Sequence, residues 1–62
     1  MTRARKQALI EAIRDSERIA ESNERRAEQW KREGEPWWKD CAAVAQHERA
    51  RIAKWRAELR AS

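Results

Sequence analysis

Only one histidine and one cysteine occur in this 62-residue chain, and neither stands in a spacing that supports a reaction centre. His47-Glu48 opens the pattern in which two histidines four residues apart hold zinc on one helical face, but Arg51 occupies the place of the second ligand. With one histidine and no second soft ligand, neither a metal nor any other cofactor is expected. Cys41 falls one turn into a helical segment, where the positive end of the helix favours a thiolate, yet its place on an apolar seam marks it as a buried, inert thiol. No nucleophile adjoins a base, no carboxylate pair is set for acid–base work, and a single glycine cannot build a phosphate loop. The chain is therefore not expected to be an enzyme, and its chemistry is that of binding.

Three residue groups offer that chemistry. Trp30, Trp37 and Trp38 gather around Gly34-Glu35-Pro36, and with Lys39 they form a candidate partner-binding surface, since tryptophan buries a large area and keeps one donor for the rim. Trp37 and Trp38 are adjacent and diverge by about 100° around a helix, so one of them is expected to reach a subunit interface or an external partner. The plainer reading is that all four tryptophans fill the core of a small bundle. A second group is basic: Arg49, Arg51, Lys54, Arg56 and Arg60 crowd one end of the chain, while Arg18 and Arg25 recur at a seven-residue interval. Such rows can track phosphates, although Glu11, Glu17, Glu21 and Glu28 interrupt the earlier one and the net charge is only +4. RNA or a small anionic ligand is thus the alternative to a solvated face. The third group is a polar seam of Ser16, Asn23 and Glu48, with His47 beside it. A buried carboxylate there needs a partner such as Asn23, Ser16 or an arginine from another helix, and the group either fixes register and oligomeric state or lines a pocket.

The elements that position these groups are two helices. Gly34 and Pro36 are the only glycine and proline; glycine ends helices at C′ and proline begins them at N1. This predicts a single all-α domain over 1–62, a two-helix antiparallel hairpin with helix one at about 3–33, a turn at 34–35 and helix two at about 36–61. Pairs such as Glu21 with Arg25 and Glu28 with Arg32 stand at the helix-supporting four-residue spacing. Heptads align Leu9, Ser16, Asn23 and Trp30 with Ile13, Ala20 and Ala27 on helix one. On helix two they align Trp38, Ala45, Ile52 and Leu59 with Cys41, Glu48 and Trp55. Small residues on one seam face bulky ones on the other, and folding at the turn sets Ala20 level with Glu48.

Two helices share only one interface, and a domain of this size is marginal without further burial. Self-association, as a homodimer forming a four-helix bundle, is therefore expected. Residues 1–20 with 46–62 carry ten basic and five acidic side chains, whereas residues 21–45 carry five and six. An antiparallel dimer would lay the basic end of one hairpin beside the slightly acidic turn of the other, a mild preference since exposed pairs contribute little. No run approaches the ~20 apolar residues of a membrane span, and a soluble, cytoplasmic protein is expected.

In length, central turn and small residues at heptad spacing, Ala20 and Ala27 among them, the chain resembles the Rop family, the plasmid repressors of primer. That resemblance implies an antiparallel four-helix bundle and RNA binding, without a matching motif for the RNA-contacting residues. Locally, Glu24-Arg25-Arg26-Ala27-Glu28-Gln29-Trp30-Lys31 resembles the arginine-rich RNA-binding helix of lambdoid phage antitermination N proteins, but Ala20, Glu21 and Ser22 stand where that family continues its arginine run. The leading functional expectation is a small regulatory or inhibitory protein, phage- or plasmid-encoded, that binds a partner protein stoichiometrically through the tryptophan-bearing turn. An RNA-binding Rop-like dimer and an oligomeric sponge for an anionic ligand such as a nucleotide are its rivals.

Overall fold

The computed structural model describes residues 1–61, which form an all-α hairpin: α1 spans Arg3–Arg32 and α2 spans Trp38–Ala61. α1 begins where Thr2 holds an extended backbone and its hydroxyl accepts the Arg5 backbone N–H at 3.1 Å, satisfying one of the orphan donors of the first turn. At its other end Glu33 is the C-cap and Gly34 adopts φ +77°. The Gly34 N–H donates to the Lys31 carbonyl at 3.2 Å and the Glu35 N–H to the Trp30 carbonyl at 2.9 Å. These two bonds are the Schellman arrangement, which requires a left-handed residue at this position.

α2 does not begin at Pro36. The Pro36 carbonyl accepts only the Lys39 N–H, at 3.2 Å, in a tight i to i+3 turn; the Trp37 carbonyl accepts the N–H groups of Asp40 and Cys41 at 3.2 and 3.3 Å. The first true helical bond therefore starts from Trp37, and Trp38 is the first residue of the helix. Proline restrains the residue before it toward extended backbone, so the connection needs residues 33–37 rather than 34–35. Trp37 has no side-chain acceptor with which to cap the exposed N–H groups, and Asp40 in the first turn supplies the negative charge that favours this end.

The buried side chains are Leu9, Ile13, Ser16 and Ala20 of α1 and Ala45, Glu48 and Ile52 of α2. All lie on the predicted seams, and they occupy the middle and open end of the hairpin. Toward the turn the seam residues Asn23, Ala27, Trp30, Trp38 and Cys41 are only half-buried. The pairs expected within α1, Glu21 with Arg25 and Glu28 with Arg32, are absent among the described residues. Three of the four ion pairs among the described residues join the two helices instead: Glu24 with Arg49, Glu17 with Arg56, and Arg5 with Glu58. The first two are seven residues apart on each helix and form one flank of the seam; the third lies on the other flank. Together they bracket a midline on which Ala20 is level with Glu48. The hairpin extends 47 × 15 × 12 Å, a rod two helices wide with no third element to cover its flanks.

Candidate docking surface

The flank closed by Glu17–Arg56 and Glu24–Arg49 opens, nearer the turn, into a groove of about 420 Å³. Its floor consists of Ala27, Ala42 and Ala45 with Trp38. Three alanines at these levels leave the space that larger side chains would fill, so two well-packed helices still enclose an apolar trough. Glu28, Lys31 and Gln46 stand along its edges and the Glu24–Arg49 pair closes the end away from the turn. The Lys31 ammonium lies 5.0 Å from the centroid of the Trp38 ring and the Lys39 ammonium 5.9 Å from it. Both are within reach of the ring's negative face, an attraction of about 0.5–1 kcal/mol at an exposed site.

Of the tryptophan cluster read from the sequence, the structure brings Trp38 to this groove; Lys39 does not line it and only approaches the Trp38 ring. Trp37 is 55% exposed and does not line it. Trp30 is half-buried and also outside the groove; its carbonyl is bound by the Glu35 N–H. Sequence reasoning missed Lys31, Ala27, Ala42 and Ala45 as lining residues. The available signal was the coincidence of alanines on both seams just above the turn, which reads as close helix approach but here produces a gap beside the Trp38 ring.

The basic candidates divide. Arg49 donates from Nε and Nη2 to the two carboxylate oxygens of Glu24, at 3.1 and 2.8 Å. This bidentate bond holds the Glu24 carboxyl below its usual range and raises Arg49 further, burial opposing both. Arg56 bonds Glu17. Arg51 donates to Glu48 Oε1 at 3.3 Å, and its guanidinium lies 4.9 Å from the Trp55 ring centroid. Three of the five cations near the end of α2 are thus answered by carboxylates. Lys54, Arg60, Arg18 and Arg25 are exposed and enter none of these pairs.

The polar seam is also partly as expected. Ser16 is buried, His47 exposed, and Asn23 half-buried with its amide donating to the Ile19 carbonyl at 2.9 Å, so Asn23 serves its own helix. Glu48 is buried at 7% exposure, and its arginine comes from three residues along the same helix, not from another one. Oε2 of Glu48 is buried without any hydrogen-bond partner. Cys41 is half-buried rather than enclosed. Among the described residues no three histidine, cysteine or acidic side chains converge as a metal site, and no helix is long and apolar enough to cross a membrane. Comparison with protein-family models, with curated proteins and with solved structures gave no match to the chain.

Proposed function

We propose that this is a small regulatory or inhibitory protein that acts by stoichiometric binding of a protein partner, seated in the Trp38 groove at the turn end of the hairpin. The observation that carries this reading is the groove itself: an apolar floor with one large aromatic ring, bordered by the Lys31 ammonium, with the Lys39 ammonium near the same ring. An apolar side chain of the partner would displace water from Ala42, Ala45 and Trp38, while a neighbouring carboxylate would meet Lys31 or Lys39. Interfaces of this kind concentrate their energy on one or two aromatic anchors, and the charged rim selects among partners more than it adds affinity.

A Rop-like RNA-binding dimer shares the hairpin, but the pairing of Arg49, Arg51 and Arg56 with carboxylates leaves its basic row weakened. The test is affinity capture from the native host with three baits: the natural chain, Lys31→Glu and Ala42→Glu. Lys31 is exposed and Ala42 faces the open groove, so both variants are expected to keep their helicity. Both should lose the partner that the natural chain retains, Lys31→Glu by reversing a rim charge and Ala42→Glu by placing a carboxylate on the apolar floor. Equal capture by all three sinks the groove as the docking site, and nucleic acid retained in a strongly salt-dependent way would favour the RNA reading.

A further inference from the structure

The flank opposite the groove has a different character. At about 100° per residue, Ile19 and Trp30 of α1 and Val44 and Trp55 of α2 turn toward the same side, away from the Glu24–Arg49 and Glu17–Arg56 pairs. Ile19 is 45% exposed, Val44 44% and Trp37 55%, and with Met1 they are the exposed large apolar residues of the described chain. Glu48, paired with Arg51 through Oε1, belongs to this side as well, since Val44, Arg51 and Trp55 surround it at helical spacing on α2. A compact monomer of this mass exposes about 4,200 Å² by the size scaling of folded proteins, whereas this chain exposes 4905 Å². The excess, about 700 Å², is that of a rod with no third element to cover its flanks.

We propose that a second copy of this chain covers the Ile19–Val44 flank in antiparallel orientation, and that its Arg51 meets the exposed edge of the Glu48–Arg51 pair. One two-fold axis covers the exposed Ile19 and Val44 and joins the two Glu48–Arg51 pairs. Setting Glu48 level with Arg51 of the second copy, α2 against α2, also sets the exposed Val44 level with the half-buried Trp55 of the second copy. Because Ala20 is level with Glu48 within each hairpin, the same axis passes α1 near Ile19 and brings the two Ile19 side chains together. Self-complementarity of this kind is what a two-fold interface requires. Arg51 uses one N–H on its own Glu48, and its guanidinium has five, so the two Glu48–Arg51 pairs can close into a neutral ring. Antiparallel orientation lays the half of the chain carrying net +5 beside the half carrying net −1. This interface is independent of the groove, which stays open on the opposite side of each hairpin.

The experiment combines mass and cross-linking on the full chain. Light scattering at micromolar concentration should give twice 7.4 kDa. Under mild oxidation Ile19→Cys, in a Cys41→Ala background, should form an intermolecular disulfide, because residues that meet on a two-fold fall within the few ångströms that a disulfide spans. Gln46→Cys in the same background, on the groove side, should not. Val44→Glu should stay helical, its side chain being half in solvent, and should raise the dissociation constant by roughly 100-fold through an unpaired interfacial charge. Arg51→Ala should weaken association by about tenfold or more. Lys31→Glu should leave the mass unchanged, so failure of the partner-docking reading and failure of this one are told apart. A folded monomer at 7.4 kDa, or a dimer cross-linked by Gln46→Cys and not by Ile19→Cys, overturns the proposal.

Discussion

Gly34 has a backbone conformation, φ +77°, that other residues adopt only at a cost, and it closes the two hydrogen bonds that terminate α1. No atom lies within 4 Å of where a Cβ would be placed, so the penalty for a side chain there is conformational and not steric. Gly34→Ala is therefore expected to lower the unfolding free energy by about 1–2 kcal/mol, and Gly34→Asn by less, because asparagine tolerates the left-handed region. A urea titration followed by circular dichroism measures both, and equal midpoints for alanine and glycine would show that the turn does not depend on this residue. Glycine was legible from the sequence because its physical role at a helix end is nearly unique. Pro36 was less so. Proline is compatible with the first helical position and with the residues just before it, and only the hydrogen bonding of its carbonyl separates the two.

At the level of the helices, the heptads located the buried residues but not the flanks. Glu21 and Glu28 read as partners for Arg25 and Arg32, since the four-residue spacing is present, yet the α1 carboxylates that pair are Glu17 and Glu24, which reach across to Arg56 and Arg49. An antiparallel neighbour offers bidentate geometry that a flexible pair on one helix does not, and sequence spacing alone carries no information about that neighbour. The groove was hidden for a related reason: alanine on a seam signals close approach, and whether the next layer closes over it depends on where the helices are tied together. The ladder has a pH signature with a definite sign. The Glu24 carboxyl is held below its ordinary value of 4.5, so its contribution is complete at neutral pH and is lost as pH falls below that value through its lower folded value. Acidification from pH 7 is thus expected to lower the thermal midpoint, chiefly below about pH 4.5. Glu24→Gln should have a lower midpoint at neutral pH and a flatter acid profile. The effect is modest, because both partners are nearly half exposed, and added salt should shrink it. Parallel acid profiles for the two proteins would remove the pair from the account of stability.

As a whole molecule the hairpin is a rod whose two long flanks meet water, and that shape explains why its composition predicted more about assembly than about chemistry. Seven buried residues among those described, two of them polar, make a small core for a chain that must order two long helices, and folding at this size is marginal without further burial. If the Ile19–Val44 flank is covered by a second copy, folding and association are a single equilibrium, and stability depends on how much protein is present. Each tenfold rise in concentration contributes about 1.4 kcal/mol per dimer, which at the specific unfolding entropy of small proteins raises the thermal midpoint by about 5 °C. The natural chain should show that dependence across a dilution series monitored by circular dichroism. Where Val44→Glu is dissociated it should show a low midpoint that does not move with concentration, because its hairpin then stands alone. Gly34→Ala, which strains the turn and leaves the flank intact, should start lower than the natural chain and climb at the same rate. A midpoint independent of concentration in the natural chain would mean that one hairpin is stable with its apolar flank in water.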